Sequence, residues 1–310
     1  MPVRNFTDDQ LPALLDLVEV GNDWGDKGRE LGRQTFKAML AQPGLAPEDN
    51  CLLLEETGEK AGRLQGFCLI FPELPIGRAV LELKVAPGLA GGSQERELVR
   101  RAVGRARDLG AGVVHLCQPN PSPSADSLRE QGFSVVRNYW DMVWRQDSLP
   151  SAALPDGFTV RPFQPGDARL LTEVQNAAFA GSWGFCPNTV EQIEHRSSMA
   201  NTSHRGIPFL YHGEQIAGYC WTFLSPVGGA IRGIIGMIGV APDYRGRGIS
   251  HSILLAGMEF LRSLDVADIG LQVDGDNTPA VRLYTSVGFR KAGELQWFEL
   301  GLSPDTTPER

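Results

Sequence analysis

Two arginines and two glycines separate a short apolar stretch from a longer one, in the order Arg245, Gly246, Arg247 and Gly248. A glycine-rich turn that opens a helix leaves several backbone N–H groups unpaired, and the helix dipole adds positive potential at the same end. Glycine lets the backbone approach a ligand closely, and arginine can add charge-assisted hydrogen bonds. The four residues therefore predict an anion site of the kind that holds phosphates.

Two common phosphate motifs do not fit this stretch. A P-loop is excluded because no Gly-Lys pair with a following Ser or Thr is present, and the letters RGRGIS after Tyr244 do not follow the GxGxxG pattern. A kinase is disfavoured because its lysine and its metal-binding carboxylates are missing. An ordinary surface turn with two solvated arginines stays open as the alternative.

A second stretch, 276–289, contains Asn277 before a short predicted helix, Tyr284 within it and Gly288 at its end as a C-cap. It reads D-N-x-x-A-x-x-L-Y-x-x-x-G-F. Taken alone, a tyrosine in an amphipathic helix is a half-buried packing residue, and an asparagine before a helix is an N-cap. The meaning of this stretch therefore depends on the loop that precedes it.

The loop and this second stretch together resemble the GNAT superfamily of acetyl-coenzyme A-dependent N-acetyltransferases, over about residues 231–290. Ser250 stands in the loop where Gly or Ala is usual. Within the family, the chain is similar to tandem GNAT proteins of the mycothiol synthase-like group, whose segment VDxDNxxAVxLYxxxGF corresponds to 273–289 here. The stretch 176–187 resembles their AFxxHWGF segment, with Ser182 in place of the histidine.

This resemblance implies the residues that bind acetyl-coenzyme A as cosubstrate, with the loop around the pyrophosphate and the preceding strand edge along the pantetheine amides. These cofactor-binding residues are Ile238, Gly239, Val240, Arg245, Gly246, Arg247, Gly248, Ile249, Ser250, Asn277 and Tyr284. It implies two catalytic roles. The backbone N–H near Val240 would polarise the acetyl carbonyl, and Tyr284 would reprotonate the coenzyme A thiolate. No metal ligand is implied.

A general base is not identified. Family members often carry a glutamate on the strand before the loop, but 231–241 contains no carboxylate, and Ile234 falls near the expected position. Gly236 and Gly239 in that strand fit either a bulge or close packing. Candidate bases from elsewhere, each alternatively an ordinary surface residue, are Glu191, Glu194, His195, His204 and His212. An acceptor amine of low pKa would need no base.

The elements that must position these motifs alternate between helices and strands in the second half of the chain. Apolar periodicity and turn residues predict helices at 167–180, 250–264 and 278–289, a hairpin at 208–226, and strands at 231–241, 269–274 and 291–300. The predicted fold class is α/β (α+β). It comprises two tandem GNAT-type domains, each a mixed, largely antiparallel twisted sheet flanked by helices.

Two domains are predicted because the chain repeats itself at an offset near 155 residues. The matching pairs are 3–6 with 160–163, 66–68 with 218–220, 85–87 with 240–242, and 132–133 with 288–289. A stretch rich in Pro, Ser and Ala at 147–157 reads as the linker. The predicted organisation is therefore a degenerate domain at 1–146, the linker, a catalytic domain at 158–303 and a tail at 304–310.

The first copy has lost the residues on which the chemistry would depend. Ala90 stands at the position of Arg245, and Leu128 stands at the position of Tyr284. We therefore expect the first domain to be a catalytically silent scaffold. Its glycines survive in the stretch 91–93, so residual coenzyme A binding by this copy stays open.

Composition limits the partners. The chain has 310 residues, 42% of them hydrophobic, and a net charge of −8, which disfavours a nucleic-acid surface and weakly favours a cationic small substrate. No apolar run is long enough for a membrane span, and the first residues lack the core of a signal peptide. Five scattered cysteines form no CxxC pair, so reduced thiols and a cytoplasmic protein are expected. A monomer is expected because the tandem repeat would replace a homodimer.

The function that follows is acetyl transfer to a primary amine of a small molecule. A cysteine-capped pseudodisaccharide, an aminoglycoside, a polyamine and an amino-acid derivative all fit as acceptors. The alternative is a non-catalytic acyl-coenzyme A-binding sensor or assembly module, which the missing strand carboxylate favours and the presence of Tyr284 and Asn277 disfavours.

Overall fold

The computed structural model describes residues 1–57, 62–150, 154–264 and 266–302, so the predicted tail and part of the predicted linker lie outside the described residues. Its strands are β1 (Val3–Asn5), β2 (Cys51–Glu55), β3 (Leu64–Glu73), β4 (Arg78–Val85), β5 (Val113–Pro119), β6 (Ser134–Trp144), β7 (Phe158–Pro162), β8 (Pro208–His212), β9 (Gln215–Val227), β10 (Ala230–Val240), β11 (Ile269–Asp274) and β12 (Arg290–Gly301). Its α-helices are α1 (Leu11–Glu19), α2 (Asp26–Leu40), α3 (Pro47–Asn50), α4 (Ser93–Asp108), α5 (Ala125–Glu130), α6 (Ala168–Phe179), α7 (Val190–Ser197), α8 (Ile249–Arg262) and α9 (Thr278–Val287).

The chain forms two compact units, and neither is continuous in sequence. Unit 1 comprises Met1–Asn22, Gly44–Tyr139 and the segment from Glu294 onward, and unit 2 comprises Asp23–Pro43 and Trp140–Gly293. This division differs from the predicted domains at 1–146 and 158–303, because α2 groups with the second half and most of β12 with the first. Each unit still holds one copy of the repeat.

The structure gives a physical reason for the placement of α2. This helix packs on β9 of unit 2, and its glycines allow a close approach. A Cβ atom on Gly28 would lie 3.0 Å from the Cβ of Pro226. Small residues on a helix face let the helix backbone approach a sheet, and this tertiary contact has no counterpart in the local sequence pattern.

The sheet of unit 1 has the strand order β1-β2-β3-β4-β5-β12, where β12 contributes its residues from Glu294 onward. The pairs are antiparallel except for β4 with β5, which is parallel. The core of unit 1 packs α4 and α5 on this sheet. Leu128 of α5 is fully buried in it.

The sheet of unit 2 has the strand order β6-β11-β10-β9-β8-β7, with β10 and β11 parallel and β7 to β10 antiparallel. Neighbouring residues of a strand point to opposite faces of a sheet. Accordingly Leu210 packs in the core with α8, and Phe209 packs in the core with α6 and α7. The mixed, largely antiparallel sheets with flanking helices confirm the predicted fold class.

The predicted elements of the second half lie within two residues of the observed ones. The helix α8 shows why: its apolar residues recur every three or four positions, and those positions are buried against the sheet. Gly257 faces the sheet so closely that a Cβ would lie 2.5 Å from the sulfur of Cys220. The helix α8, which begins directly after residues 245–248, is therefore packed closely against the sheet.

Candidate active site

The loop between β10 and α8 has a backbone conformation that requires its glycines. Gly246 and Gly248 have φ angles of +76° and +74°, in the left-handed region where side chains are strained. Nothing lies within 4 Å of a Cβ placed on either residue, so the loop faces open space. The helix α8 begins directly afterwards at Ile249.

The backbone N–H groups of this loop are available to a ligand. Within the described ranges, no acceptor is seen for the N–H groups of residues 246–250. These are the unpaired donors of a helix start, where the helix dipole adds positive potential. The residues present thus fit a pyrophosphate, because consecutive N–H groups without acceptors lie beside open space at the start of a helix.

The two arginines of the loop are held in different ways. The Nη2 group of Arg245 donates to the carbonyl oxygen of Ala178, at the end of α6, over 2.7 Å. The guanidinium of Arg247 lies over the ring of Tyr244, 5.0 Å from its centroid. Both side chains are therefore anchored beside the loop, and both bring positive charge to it.

The strand β10 has one paired edge and one edge that is largely open. It pairs with β9 along its whole length, from Ala230 to Val240. Its pairing with β11 covers only two register positions, Gly233 with Ile269 and Ile234 with Gly270. The two strands continue to Val240 and Asp274 without further pairing in the described structure, so they diverge into a V-shaped slot that points toward the loop.

A bulge decides which backbone groups face this slot. The register of β10 against β9 shifts between Ile235 and Met237, which places Gly236 in the bulge and confirms that interpretation of the glycine. Before the bulge, the N–H of Gly233 donates toward β11, to the carbonyl oxygen of Asp268 over 3.0 Å. After it, the N–H of Ala241 donates toward β9, to the carbonyl oxygen of Ala217 over 2.9 Å.

Backbone N–H groups alternate in direction along a strand. Since Ala241 donates toward β9, the N–H groups of Val240 and Ile238 point into the slot, whereas that of Gly239 points toward β9. Without the bulge, the odd-numbered residues would face the slot. Gly239 serves close packing instead, because a Cβ on it would lie 2.3 Å from the ring of Tyr219.

Tyr284 belongs to α9, and its ring packs against the unit 2 core together with Ile238 and Val240. It makes an edge contact with Phe289, with ring centroids 5.9 Å apart. Burial, and to a smaller extent the nearby thiol of Cys220, raise the pKa of the Tyr284 hydroxyl far above its usual range. The phenol therefore keeps its proton at neutral pH and can donate it.

Asn277 caps the helix that carries Tyr284. Its Oδ1 accepts the backbone N–H of Ala280 over 3.2 Å, which is the N-cap arrangement. Gly288 ends the same helix at a φ of +109°, as the C-cap interpretation predicted. Both ends of α9 are therefore fixed, which holds the phenol of Tyr284 in place.

A pocket of about 240 Å³ opens beside the bulge, and none of the sequence motifs predicted it. Its lining residues are Arg196, Met199, Asn201, Thr202, Trp221, Phe223, Gly236 and Met237. Trp221 and Phe223 lie two residues apart on β9 and therefore on the same face of the sheet. This spacing is the sequence pattern that could have predicted an aromatic wall of the pocket. The loop before β8 closes the pocket, since Thr202 bridges to Phe223.

The candidate bases do not line this pocket. His195 is engaged elsewhere, because its Nε2 donates to the carbonyl oxygen of Ala38 in α2 over 2.7 Å. Ile234 lies in the paired part of β10, before the slot opens. The other candidates also fall outside the lining: Glu191, Glu194, His204 and His212.

The corresponding loop of unit 1 is covered. The N–H of Gly91 donates to Oε1 of Glu95 over 3.1 Å, and Oε2 of the same carboxylate accepts the hydroxyl of Ser124 over 2.8 Å. A Cβ on Gly91 would lie 2.6 Å from the carbonyl oxygen of Pro123. Oxygen atoms of the chain itself thus occupy the space in front of this loop.

Comparison with known proteins agrees with this geometry. The model of the acetyltransferase (GNAT) family matches residues 169–289, which include the loop, the slot and Tyr284. A mycothiol acetyltransferase of Pseudarthrobacter chlorophenolicus is 32% identical over 294 residues, covering 91% of this chain and 89% of that protein. A mycothiol acetyltransferase of Thermobispora bispora is 31% identical, covering 93% and 95%. The chain belongs to the GNAT family of acetyltransferases.

Solved GNAT structures share the fold over the full length. A GCN5-related N-acetyltransferase from Sphaerobacter thermophilus has a TM-score of 0.71 at 22% identity, covering 98% of this chain and 96% of the other. A tandem GNAT protein from the clavulanic acid biosynthesis pathway has a TM-score of 0.69 at 18% identity, covering 98% and 99%. These structures show the tandem GNAT fold. The mycothiol synthase-like group, the acetyltransferase activity and acetyl-coenzyme A as cosubstrate follow from the relatives and the family model. None of the helices in the described ranges has the length and apolar character that crossing a bilayer requires.

Proposed function

We propose that this GNAT enzyme transfers the acetyl group to a primary amine of a small molecule, and that the chemistry takes place in unit 2. One observation carries the proposal. The same strand, β10, has an open edge whose N–H groups face a slot and ends in a loop with unpaired N–H groups. In unit 1 the equivalent loop is covered by the chain itself.

The loop residues would hold the pyrophosphate of acetyl-coenzyme A. The N–H groups of 246–250 would donate to its oxygens, and Arg245 and Arg247 would balance its charge. The edge of β10 would hold the pantetheine arm, with Ile238 and Val240 donating and accepting backbone hydrogen bonds as an added strand would. The distance from Val240 back to Gly236 is about 13 Å at about 3.3 Å per residue, so the slot leads from the loop to the bulge.

Two groups would assist the transfer itself. A backbone N–H near Val240 would polarise the acetyl carbonyl as its oxygen gains charge. Tyr284 would donate its proton to the departing thiolate, since the phenol is protonated at neutral pH. Asn277 would act by capping the helix that carries Tyr284.

The pocket beside the bulge would take the acceptor. It reaches Gly236 and Met237 of β10, where the slot brings the thioester. Since its lining among the described residues contains no carboxylate or imidazole, we propose that the amine arrives as the free base. The kcat/KM of a series of acceptors should then rise with pH up to the pKa of each amine, which pH–rate profiles would test.

The acceptor class is proposed from the relatives. Two of them are named mycothiol acetyltransferases, and an amine of that kind, such as a cysteine-capped pseudodisaccharide, fits a small pocket. The protein would act alone on a small molecule in the cytoplasm, as a monomer with tandem domains. No partner macromolecule is needed for the proposed chemistry.

Calorimetric titration with acetyl-coenzyme A tests the assignment of the site. One site per chain is expected, with release of the coenzyme A thiol when a small primary amine is added. Two sites would contradict the silent first copy. Absence of binding would overturn the proposed role of the slot and loop.

A further inference from the structure

A buried aromatic ring lies directly beside the glycine loop. Tyr244 precedes the loop residues 245–250 and packs in the unit 2 core that contains α8. The guanidinium of Arg247 lies over this ring, 5.0 Å from its centroid. A guanidinium is weakly hydrated for a cation and is attracted to the face of an aromatic ring. The ring of Tyr244 therefore supports a charged side chain of the loop.

The ring of Tyr244 is itself fixed from several directions. Its hydroxyl donates to Oε1 of Gln215 over 2.8 Å. Its edges face the rings of Phe158 and His212, with centroids 6.2 Å and 5.8 Å away. Its backbone N–H donates to the carbonyl oxygen of Ala241 over 2.9 Å. His212, a candidate base from the sequence, is thus a packing neighbour of this ring, and the ring is a rigid support.

The two arginines of the loop differ in what their support consumes. Arg245 uses an N–H group to donate to the carbonyl oxygen of Ala178, which is among the last four of α6 and has no partner within that helix. Arg247 is held through its contact with the ring, and within the described residues no hydrogen-bond acceptor is seen for its N–H groups. These donors are therefore available for the oxygens of a phosphate.

The two supports also lie on opposite faces of the sheet. The helix α6, which holds Arg245, packs on the face that contains Phe209. Tyr244, which holds Arg247, belongs to the core on the other face, with α8. A change at Tyr244 should therefore affect Arg247 and leave Arg245 in place.

Holding a long side chain in advance favours binding. A free arginine loses rotamer freedom when it closes on a ligand, whereas an arginine that is already held loses less. Loss of the ring should therefore weaken the binding of an anion, although the charge of Arg247 is still present.

We propose that Tyr244 is a positioning residue for the cosubstrate: its ring holds the guanidinium of Arg247 beside the loop N–H groups, where the guanidinium binds the pyrophosphate. This inference rests on the proposed function, since it requires that the loop binds acetyl-coenzyme A. Tyr244 would act through Arg247 and would touch no reacting atom.

A double-mutant cycle, measured by calorimetric titration with coenzyme A, tests the inference. Arg247→Gln should weaken binding about 30-fold and Tyr244→Leu about tenfold. The double variant should again be about 30-fold weaker, because without the guanidinium the ring has nothing to position. Tyr244→Phe keeps the ring and should stay within about threefold. A double variant that is about 300-fold weaker, as for independent effects, would overturn the inference.

Two controls separate positioning from a general loss of stability. Tyr244→Leu combined with Arg245→Gln should show additive effects within about twofold, because Arg245 is held by α6. Phe163→Leu removes another buried ring of unit 2, in the core with α6 and α7. It should lower the Tm and leave the affinity for coenzyme A unchanged. Equal losses of affinity in Phe163→Leu and Tyr244→Leu would overturn the inference.

A surface variant keeps the test valid if Tyr244→Leu does not fold. Gln215 is exposed, and Gln215→Ala removes the hydrogen bond to the Tyr244 hydroxyl without opening the core. It should weaken binding about threefold in the unchanged protein and have no effect in the Arg247→Gln background. The same threefold loss in both backgrounds would contradict the role of the ring.

Kinetics and a second ligand complete the test. In Tyr244→Leu, the KM for acetyl-coenzyme A should rise about tenfold while kcat changes by less than about twofold. Dephospho-coenzyme A keeps the pyrophosphate and lacks the 3′-phosphate, so Tyr244→Leu should weaken its binding by the same factor. A lower kcat with unchanged KM, or a loss confined to coenzyme A, would overturn the inference. Failure of the proposed function looks different, because the unchanged protein would then bind no coenzyme A.

Discussion

The two copies of the repeat differ most in front of one loop. The second-copy loop, 245–250, presents unpaired N–H groups and faces open space at Gly246. The first-copy loop, 90–95, donates its Gly91 N–H to the carboxylate of Glu95 and is covered by the carbonyl oxygen of Pro123. An anion can reach the second-copy loop. In the first-copy loop, the carboxylate of Glu95 already takes that place.

The neighbouring strands differ much less. In unit 1 the parallel pair of β4 and β5 ends at Leu81 with Leu116, although β4 continues to Val85. Diverging parallel strands are thus common to both copies. The slot therefore follows from the topology of the repeat, and we propose that the loop decides whether a copy can hold a phosphate.

The largest effect is expected when the loop of the second copy is given the carboxylate of the first. Ser250 is 155 positions after Glu95, the same offset that relates the repeated motifs. Ser250→Glu should let a carboxylate accept the Gly246 N–H and repel the pyrophosphate. We expect affinity for acetyl-coenzyme A to fall about 1000-fold, which is about 4 kcal/mol.

Calorimetric titration measures this loss, and Ser250→Gln is its control. The amide has the same length without the charge, so its loss of affinity should be much smaller. Circular dichroism and the Tm should stay near those of the unchanged protein. If Ser250→Glu binds acetyl-coenzyme A normally, the N–H groups of this loop do not hold the pyrophosphate.

The next largest effect is expected at Leu128, which occupies in the first copy the position that Tyr284 has in the second. Leu128 is fully buried, so Leu128→Ala leaves a cavity and should lower the free energy of unfolding by about 3 kcal/mol. Denaturant titration measures the loss, and Leu128→Met should cost about 1 kcal/mol or less. Turnover per folded molecule should stay the same, and a lower turnover with unchanged stability would contradict a silent first copy.

Tyr284→Phe changes the second copy at the position that Leu128 occupies in the first. Loss of the phenol removes the proposed proton donor, and we expect kcat to fall about 100-fold, which is about 2.7 kcal/mol of activation free energy. The KM for acetyl-coenzyme A should change by less than about twofold, because the ring still packs against Phe289. Steady-state kinetics separate the two constants. An unchanged kcat would assign Tyr284 to packing.

The loop and the elements around it could be predicted because their signals are local. A glycine-rich turn before an apolar run at helical spacing predicts the start of a helix, and α8 begins at Ile249. The bulge at Gly236 was one of two interpretations of that glycine, and the register selects it. Whether the N–H of Gly239 or that of Val240 faces the slot depends on the register of β10 against β9. This register is a contact between two strands, so local sequence patterns do not predict it.

The sequence could not place α2 or the acceptor pocket, since both depend on contacts between distant segments. The contact of Gly28 with Pro226 and the wall formed by Trp221 and Met199 are of this kind.

The carboxylate in the first-copy loop, in contrast, could have been predicted from the sequence. Glu95 is the third residue of α4, the position from which a glutamate reaches back to the N–H groups of a helix start.

The smallest effect follows from the titration of Glu95. Burial raises its pKa, and the hydrogen bonds from Ser124 and Gly91 offset this in part. The folded state therefore binds the proton more tightly than the unfolded state, so the free energy of unfolding falls as pH rises through the raised pKa. Glu95→Gln lacks this titration, and its stability relative to the unchanged protein should increase between pH 4 and pH 7.

Urea unfolding at the two pH values measures this difference, and Glu48→Gln is the control, because Glu48 is an exposed carboxylate of the same unit. A relative stability that falls instead as pH rises would mean that Glu95 is held as a charged partner of the loop, with a lowered pKa.

In either case the first copy should still fail to bind acetyl-coenzyme A after Glu95→Gln, because Pro123 covers Gly91 and Ala90 supplies no charge. The carboxylate and the covering segment are therefore separate reasons to expect that this copy is silent, and removing one should leave the other in force.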